Sequence, residues 1–489
     1  MKSAIISLCF IFLSFNLVGQ KSIGEFNHSL RTKNRTVKGS FSVVNKSTKD
    51  IATFISDRRY IYAYLTDNTF KVKKELKFKK NSKYRGVVGK IYNTDNKFSF
   101  VIANTNVSEF GIIDFDFKND TVVFNKDLFN TRGLTLLQNF NQENKSHLLF
   151  LKKSTSELIV RTYTNDKEAK NQSFKLKNER LLIGKNRKTS LTKLLYNSLY
   201  NDYTITKIQS FEYGTKKTNK IQPISIETTA EYTKLYAEND LIKIVFDKNK
   251  FYSQILTLNL KEGTHTLKKF RKPLYKTTGR NKASNSFLFN DFLFTSSCSK
   301  KNLGIAIYDL KTDEKLQEFT FSNNKPLPLK NAPVIIQGKE YKKVNTKETK
   351  VFLKKIYYSD MGITVAKQKD NFVITLGGKK PATLHNPMMS LKMGDNVSIY
   401  AVNNYRGFLD PHSYILNLFR NKKVTYFKGI LDNEFNFIDV PVEKNVYDTI
   451  NTYVQENGKQ ENSHIFEFNG KMIYSYYNQS SNTYKFLAF

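Results

Sequence analysis

Short apolar segments recur along the whole chain, and turn-forming polar residues separate them. Some of these segments alternate apolar with polar positions and others are continuously apolar, whereas Asn, Asp, Lys and Gly fill the stretches between them. This spacing is typical of an all-β domain whose strands are joined by tight hairpins. The clearest segments begin at Ile51, Tyr60, Phe98, His147, Leu241 and Gln254.

Two distant stretches of the chain have the same pattern, which indicates an internal repeat. Phe110–Asp120 (FGIIDFDFKND) aligns without a gap on Leu303–Asp313 (LGIAIYDLKTD), 193 positions later. We expect the two stretches to occupy the same place in two copies of one structural unit. The matched positions include Gly111 with Gly304, Phe115 with Tyr308, Asp116 with Asp309 and Asp120 with Asp313.

A shorter interval separates two Asn-Asp turns, because Asn239-Asp240 and Asn290-Asp291 lie 51 residues apart. A period of about 50 residues divides the longer offset into four units. It predicts intervening units that begin near His147, near Asn178 and at Tyr232.

The best-defined unit contains four predicted strands joined by short turns, and four antiparallel strands in a unit of this length are typical of a propeller blade. The predicted strands are Ser286–Phe289, Phe292–Ser297, Leu303–Asp309 and Lys315–Phe321.

This unit, with an aromatic-Asp pair followed by a Lys-Thr-Asp turn at Tyr308–Asp313, resembles the blades of bacterial β-propellers of the WD40-like and quinoprotein-like kinds. The resemblance implies an all-β fold, a β-propeller of about seven or eight four-stranded blades with short helical inserts. It carries no active-site motif, and the Trp-Asp dipeptide is absent because the chain has no Trp. Further blade segments are expected at Tyr60–Phe78, at Val351–Tyr358 with Asn371–Gly378, at 398–419 and at His464–Phe489, where Asn469-Gly470 predicts a type I′ hairpin.

Two segments have helical rather than strand periodicity, and we interpret both as packing inserts between blades. Thr189 and Ser190 are candidate caps for the first helix. An irregular insert is expected at about 322–350 and a loop-rich region at 377–412. The apolar faces are Leu191, Leu194, Leu195 and Leu199 in the first helix, and Val446, Ile450, Tyr453 and Val454 in the second.

The first residues have the layout of a secretory signal peptide, with Lys2, an apolar run over Ala4–Val18 and Gly19 as the exit. We therefore predict a signal peptide at 1–19 and a propeller domain at 20–489, exported to the periplasm or the extracellular space. No apolar run is long enough to span a membrane as a helix. Gln20 follows Gly19, so the protein is not expected to be a lipoprotein, and Cys298 is left without a disulfide partner.

The chain is strongly basic, with 79 Lys and Arg against 43 Asp and Glu and a formal net charge of +36. Such a charge can attract polyanions, but the signal peptide argues against nucleic acid, and most of the basic residues are Lys spread over the whole length. A protein or an anionic glycan remains as the possible partner. The densest basic run, Lys71–Lys80 (KVKKELKFKK), is interpreted as one face of an outer strand rather than as a polyanion site.

No catalytic or metal-binding motif is evident, and no cofactor is expected. Asp114, Asp116 and Asp120 have carboxylates at alternate positions, but the calcium-loop pattern is not completed, so we interpret them as strand-end and turn residues. The six histidines are isolated: His28, His147, His265, His385, His412 and His464. The loop-rich region contains one mixed polar group, Tyr405, Arg406, Asp410 and His412, interpreted as ordinary surface residues of a blade connection.

The sequence thus favours an exported, monomeric, non-catalytic propeller that binds a protein or a glycan, with its binding residues unknown. One alternative is a propeller enzyme, of lyase or glycosidase type, acting on acidic polysaccharide. A lesser alternative is an outer-membrane β-barrel, against which the short apolar runs argue. Two or more carboxylates, or a Tyr/His/Arg group, gathered from different blades at the central channel would favour the enzyme.

Overall fold

The computed structural model describes residues 21–489 except residues 29–36, 46, 82, 93–94, 105, 143, 166–167, 198–201, 209–223, 277–281, 329–330, 381–423, 459 and 461. The predicted signal peptide, the blade segment at 398–419, Leu199 and the group from Tyr405 to His412 therefore lie outside the described residues.

The first three blades are four-stranded antiparallel sheets in which each strand pairs with the next along the chain. They follow β1 (Lys21–Asn27). Blade 1 contains β2 (Gly39–Val44), β3 (Ile51–Ser56), β4 (Tyr60–Thr66) and β5 (Val72–Lys79); blade 2 contains β6 (Tyr84–Tyr92), β7 (Lys97–Asn104), β8 (Phe110–Asp116) and β9 (Thr121–Asp127); blade 3 contains β10 (Leu134–Gln142), β11 (Lys145–Lys152), β12 (Glu157–Tyr163) and β13 (Lys170–Lys175).

An insert precedes blade 4, and the later blades carry additional elements. The insert contains α1 (Leu191–Leu195), the pair β14 (Tyr196–Asn197) and β15 (Asp202–Tyr203), and α2 (Ile226–Thr229). Blade 4 contains β16 (Thr206–Lys207), β17 (Thr233–Glu238), β18 (Leu241–Phe246), β19 (Tyr252–Asn259) and β20 (Thr264–Arg271); blade 5 contains β21 (Ala283–Phe289), β22 (Phe292–Cys298), β23 (Asn302–Asp309) and β24 (Lys315–Ser322).

Blade 6 contains β25 (Val334–Ile336), β26 (Lys339–Tyr341), β27 (Asp360–Gln368), β28 (Asn371–Lys379), β29 (Val424–Leu431) and β30 (Phe437–Ile438), and α3 (Thr346–Tyr357) lies between β26 and β27. Helix α4 (Val446–Asn457) leads to blade 7, which contains β31 (His464–Phe468), β32 (Lys471–Asn478) and β33 (Thr483–Ala488).

The N-terminal strand closes the ring, because β1 pairs antiparallel with β33 as the fourth strand of blade 7. On the inner side, blade 7 also touches blade 1, where the Ser42 amide donates to His464 Nδ1 at 3.2 Å. The described residues thus form seven sheets of four or more strands, which are the blades of a β-propeller.

The predicted repeat is confirmed in its placement and corrected in its period. Phe110–Asp120 and Leu303–Asp313 supply β8 and β23, the third strands of blades 2 and 5. Only blades 3 and 4 lie between them, so the offset covers three blade steps rather than four. No blade begins near Asn178, where the insert lies instead.

Aromatic side chains form much of the packing between blades, and the matched residues Phe115 and Tyr308 are examples. The Phe115 ring lies 5.0 Å from Phe54 of blade 1, and the Tyr308 ring lies 5.3 Å from Phe270 of blade 4. Both matched residues are buried between their own blade and the preceding one. Burial of such large rings supplies the hydrophobic free energy that holds adjacent sheets together.

Both predicted helices are present among the described residues. One segment that was predicted as a strand is also a helix. Ser190 caps α1, and α4 buries Tyr447, Ile450 and Val454 against blade 7. Val351–Tyr358, expected as a strand, instead lies almost entirely in α3, because a capping box at Asn345 starts a helix whose apolar residues face one side.

The hairpin predicted at Asn469-Gly470 joins β31 to β32. Both residues have positive φ, 48° and 74° respectively, as a type I′ turn requires.

Candidate functional site

The aspartates considered for calcium binding stabilise turns instead. Asp116 Oδ1 accepts from the amides of Lys118 and Asn119, and Asp309 does the same for Lys311 and Thr312 in the matched turn of blade 5. Within the described residues, no three His, Cys, Asp or Glu side chains converge as metal ligands. The remaining two of these aspartates form ion pairs: Asp114 with Lys97 at 3.4 Å and Asp120 with Lys74 at 2.9 Å.

His28, His147 and Cys298 have structural surroundings, whereas His385 and His412 lie outside the described residues. Burial lowers the pKa of His28 and of His147 to about 4, and each ring pairs with a hydroxyl, of Tyr64 and of Thr162 respectively. The Cys298 thiol is free and buried in the core between blades 5 and 6, and burial raises its pKa. A thiol held in its protonated form is a poor nucleophile.

The lysine run at Lys71–Lys80 is the outer strand of blade 1, as expected. In β5 Leu76 is buried whereas Lys73, Lys77 and Lys79 are exposed. The Lys77 ammonium group lies 4.3 Å from the centre of the Tyr60 ring.

A fully buried ionic network lies between blades 4 and 5. Asp247, directly after β18, pairs with Lys234 of β17 and with Lys272, directly after β20, and the Nζ–Oδ distance is 2.9 Å in both pairs. The hydroxyls of Ser253 and Ser286 each donate to the same carboxylate at 2.8 Å. Burial acts to raise the pKa of Asp247, but the two ammonium groups hold it well below its usual value.

The network also reaches blade 6. The Lys234 ammonium group donates to Asn285 Oδ1 on β21, and Asn285 Nδ2 donates to the carbonyl of Met361 on β27 at 2.6 Å. It therefore links the innermost antiparallel strands of three successive blades. A buried polar network whose members are satisfied fixes the relative positions of the elements that it joins.

A second group of lysines surrounds aromatic rings beside this network. We call Lys185, Lys250, Lys282, Phe251 and Tyr275 the lysine–aromatic cluster. The Lys185 ammonium lies 5.1 Å from the ring centres of both Phe251 and Tyr275, and the Lys282 ammonium lies 5.1 Å from Phe251. These distances are within the range of cation–π attraction.

Two buried amides hold the segment that carries Lys185. Asn249 Nδ2 donates to the carbonyls of Leu182 and Gly184, at 3.1 and 3.0 Å, and the Gln254 side chain both donates to and accepts from Leu182. The insert before blade 4 is thereby fixed against the β18–β19 turn, which carries Lys250 and Phe251.

The cluster has a surplus of positive charge. Burial lowers the pKa of Lys282 to about 8, and the neighbouring charges of Lys272, Lys185 and Lys250 add to the effect; burial also lowers the pKa of Lys250. Across the part of the chain that the structure describes, no carboxylate lies within ion-pair distance of Lys185, Lys250 or Lys282. The nearby charge of Asp247 is already shared by Lys234 and Lys272.

Acidic groups approach the same end of the blades from the other side. Tyr232, next to β17, donates to Asp360 Oδ1 at 3.2 Å, and Lys379 at the end of β28 pairs with Glu231 at 2.6 Å. Burial raises the pKa of Asp360. The Lys250 ammonium group lies 5.2 Å from the Tyr232 ring, so the two groups of side chains adjoin.

Close backbone packing positions this acidic side. Helix α2 lies directly on β27, where a Cβ atom at Gly362 would come within 2.9 Å of the Ile226 carbonyl oxygen. Only glycine permits that approach. Two carboxylates and a tyrosine from blades 4 and 6 are thus brought together.

The comparisons with known proteins found only distant structural similarities. No family model and no curated protein sequence matches the chain. Among solved structures, the Dos1 propeller is similar at 9% identity with a TM-score of 0.32, over 96% of this chain and 95% of that one. A crystal structure of an ACO/RPE65 chimera and the Glu150Asp mutant of Synechocystis apocarotenoid oxygenase match at 9% and 7% identity, each with a TM-score of 0.28 and over 60% of this chain. The match spans 63% of the length of each of those two chains.

Within the described residues, no helix is both long and apolar enough to cross a membrane.

Proposed function

We propose that this chain is an exported, monomeric, non-catalytic propeller that binds an acidic glycan through the lysine–aromatic cluster. The observation that carries the proposal is the position of Lys185 and Lys282 at the rings of Phe251 and Tyr275, with Lys250 nearby and with no ion pair to any of the three lysines among the described residues. Burying unpaired positive charge costs free energy unless a counter-charge arrives. An anionic ligand supplies that counter-charge.

The aromatic rings favour a glycan over a protein as the ligand. Phe251, Tyr252 and Tyr275 are each half-buried, so part of each ring is accessible beside the ammonium groups. Exposed aromatic rings pack against apolar faces of ligands, and the hydroxyls of Tyr252 and Tyr275, 2.8 Å apart, offer polar contacts. Charged, apolar and hydroxyl contacts together match an acidic sugar.

The test is binding to an acidic polysaccharide, such as a polyuronate or a sulfated galactan, against neutral dextran of similar length. Calorimetry at physiological salt screens attraction to the overall charge of the protein. We expect at least one of the acidic polymers to bind and dextran not to bind. Equal binding of all polymers, or binding of none, refutes the proposed function.

A matched pair of variants locates the site. Lys250→Gln with Lys282→Gln should weaken binding at least tenfold, whereas Lys77→Gln with Lys79→Gln on β5 removes the same charge elsewhere and should change it less than twofold. The control pair is chemically similar to the test pair, because Lys77 also contacts an aromatic ring. Equal losses in both pairs would indicate binding to the diffuse charge of the protein.

A second candidate function, an enzyme acting on acidic polysaccharide, is favoured by the Tyr232–Asp360 contact beside Glu231. Environments that move the pKa of one carboxyl group upward are a feature of acid–base sites. Prolonged incubation with the bound polymer distinguishes the two candidates. New reducing ends that disappear in Asp360→Asn, with binding retained, would establish the enzyme; an unchanged polymer supports the non-catalytic module.

Export is part of the proposal and has its own test. The predicted signal peptide ends at Gly19, two residues before β1 begins at Lys21. N-terminal sequencing of protein recovered from the periplasm or the medium should start at or within a few residues of Gln20. A mature protein that starts at Met1 would contradict it.

A further inference from the structure

We infer that the lysine–aromatic cluster binds one sulfate or phosphate ester group rather than a carboxylate. The inference rests on the proposed function, since the ester group belongs to the acidic glycan. It goes further by naming the charged group and the side chains that contact it.

The number of donors favours a tetrahedral anion. Lys185, Lys250 and Lys282 provide three ammonium groups that form no ion pair among the described residues, and both Lys185 and Lys282 contact Phe251. A sulfate or phosphate ester offers three terminal oxygens, one for each ammonium group, whereas a carboxylate offers two.

Lys282 has hydrogen-bond donors to spare. The Lys282 ammonium donates to the carbonyl of Leu274 at 3.2 Å, which satisfies one of its three N–H groups. Its neighbour Lys272 is in contrast fully satisfied, with Asp247, Asn249 and Ser284 all within 3.3 Å. The deeper lysine is therefore structural, and Lys282 is available to a ligand.

The three lysines of the cluster also differ in their exposure to solvent. Lys185 is exposed, Lys250 is half-buried and Lys282 is only 4% exposed. A compact group on a short ester linkage is small enough to contact lysines at different depths. The flat face of a large polyanion, such as a nucleic-acid backbone, would reach Lys185 alone.

The experiment measures thermal unfolding of the mature protein in sodium sulfate, phosphate, acetate and chloride at matched ionic strength. Low millimolar concentrations keep general salt effects on stability small. We expect sulfate, phosphate or both to raise Tm in a saturable way, and acetate and chloride to do so much less. The anion that saturates at the lower concentration identifies the ester.

Two variants distinguish anion binding at the lysine–aromatic cluster from general stabilisation of the protein by salt. Lys282→Met should abolish the saturable shift, whereas Lys77→Met on β5 should keep it. If Lys282→Met does not fold, acetylation of lysines in the wild-type protein gives a second measurement, because sulfate or phosphate should protect Lys185 and Lys250 from an amine-reactive reagent but leave Lys77 reactive.

The outcomes distinguish this inference from the proposed function. Glycan binding without any saturable effect of sulfate or phosphate, or with an equal effect of acetate, overturns the inference and leaves the function standing. A saturable rise in Tm with sulfate or phosphate, without binding of any polysaccharide, supports the anion site and refutes a glycan as the ligand. Protection confined to the exposed Lys185 would also overturn the inference.

Discussion

Replacing Asp247 by Asn tests the buried network directly, because it removes the one carboxylate that Lys234 and Lys272 share. Each ammonium group lies 2.9 Å from that carboxylate, and all three side chains are fully buried. Breaking a buried ion pair by removing one partner costs about 3–5 kcal/mol. Asn keeps one acceptor oxygen for Ser253 or Ser286, so we expect a loss of about 4 kcal/mol, a large fraction of the stability of a typical domain.

The assay is urea unfolding followed by far-ultraviolet circular dichroism, since the chain has no Trp for fluorescence. The control is Asp120→Asn, which removes an exposed ion pair with Lys74 and should cost less than about 1 kcal/mol. Adding Lys234→Met to Asp247→Asn should recover part of the loss, because one uncompensated charge is then removed. A loss below about 1 kcal/mol for Asp247→Asn, or no recovery in the double variant, would refute the reasoning.

Three further predictions concern the same structure. Binding of the acidic ligand should weaken as pH rises through about 8, where Lys282 loses its proton, and calorimetry at several pH values measures this; an unchanged affinity up to pH 10 would place the site elsewhere. The free energy of unfolding should in contrast increase as pH rises from about 8 towards 10.5. Burial lowers the folded-state pKa of Lys272 to about 8, so over this range the unfolded chain binds more protons than the folded chain. A free energy of unfolding that decreases over this range in urea experiments would contradict the burial of this amine. Gly470→Ala should cost about 1 kcal/mol, because φ is 74° there, and an unchanged urea midpoint would be evidence against the type I′ turn.

The blades were predictable because their information is local. The alignment of Phe110–Asp120 with Leu303–Asp313 located equivalent third strands, and its aspartates proved to accept hydrogen bonds within single turns. Asn469-Gly470 likewise fixes its hairpin through its own backbone angles. Such features depend on residues that are close in the sequence, so they can be predicted without knowing the distant contacts.

The failures have a physical cause as well. The apolar residues of Val351–Tyr358 fit a buried strand or a helix, and only the capping box between Asn345 and Glu348 decides for the helix. The period was misjudged because the insert before blade 4 lengthens one step of the repeat.

The candidate site was out of reach of the sequence. Its members come from the insert, from turns of blade 4, from the start of blade 5 and from blade 6, so no spacing relates them. The only local signal is Lys248–Tyr252 (KNKFY), where lysines adjoin two aromatic residues. That signal is weak in a chain that contains so many lysines.

The pairing of β1 with β33 constrains when this protein can finish folding. A ribosome releases β1 long before β33, because the other blades lie between them in the chain, so the ring stays open until β33 has been made. Until then, β1 and the blades already formed expose edges that can pair with other chains. Holding the chain unfolded until β33 is available, as passage through a membrane does, would remove that hazard.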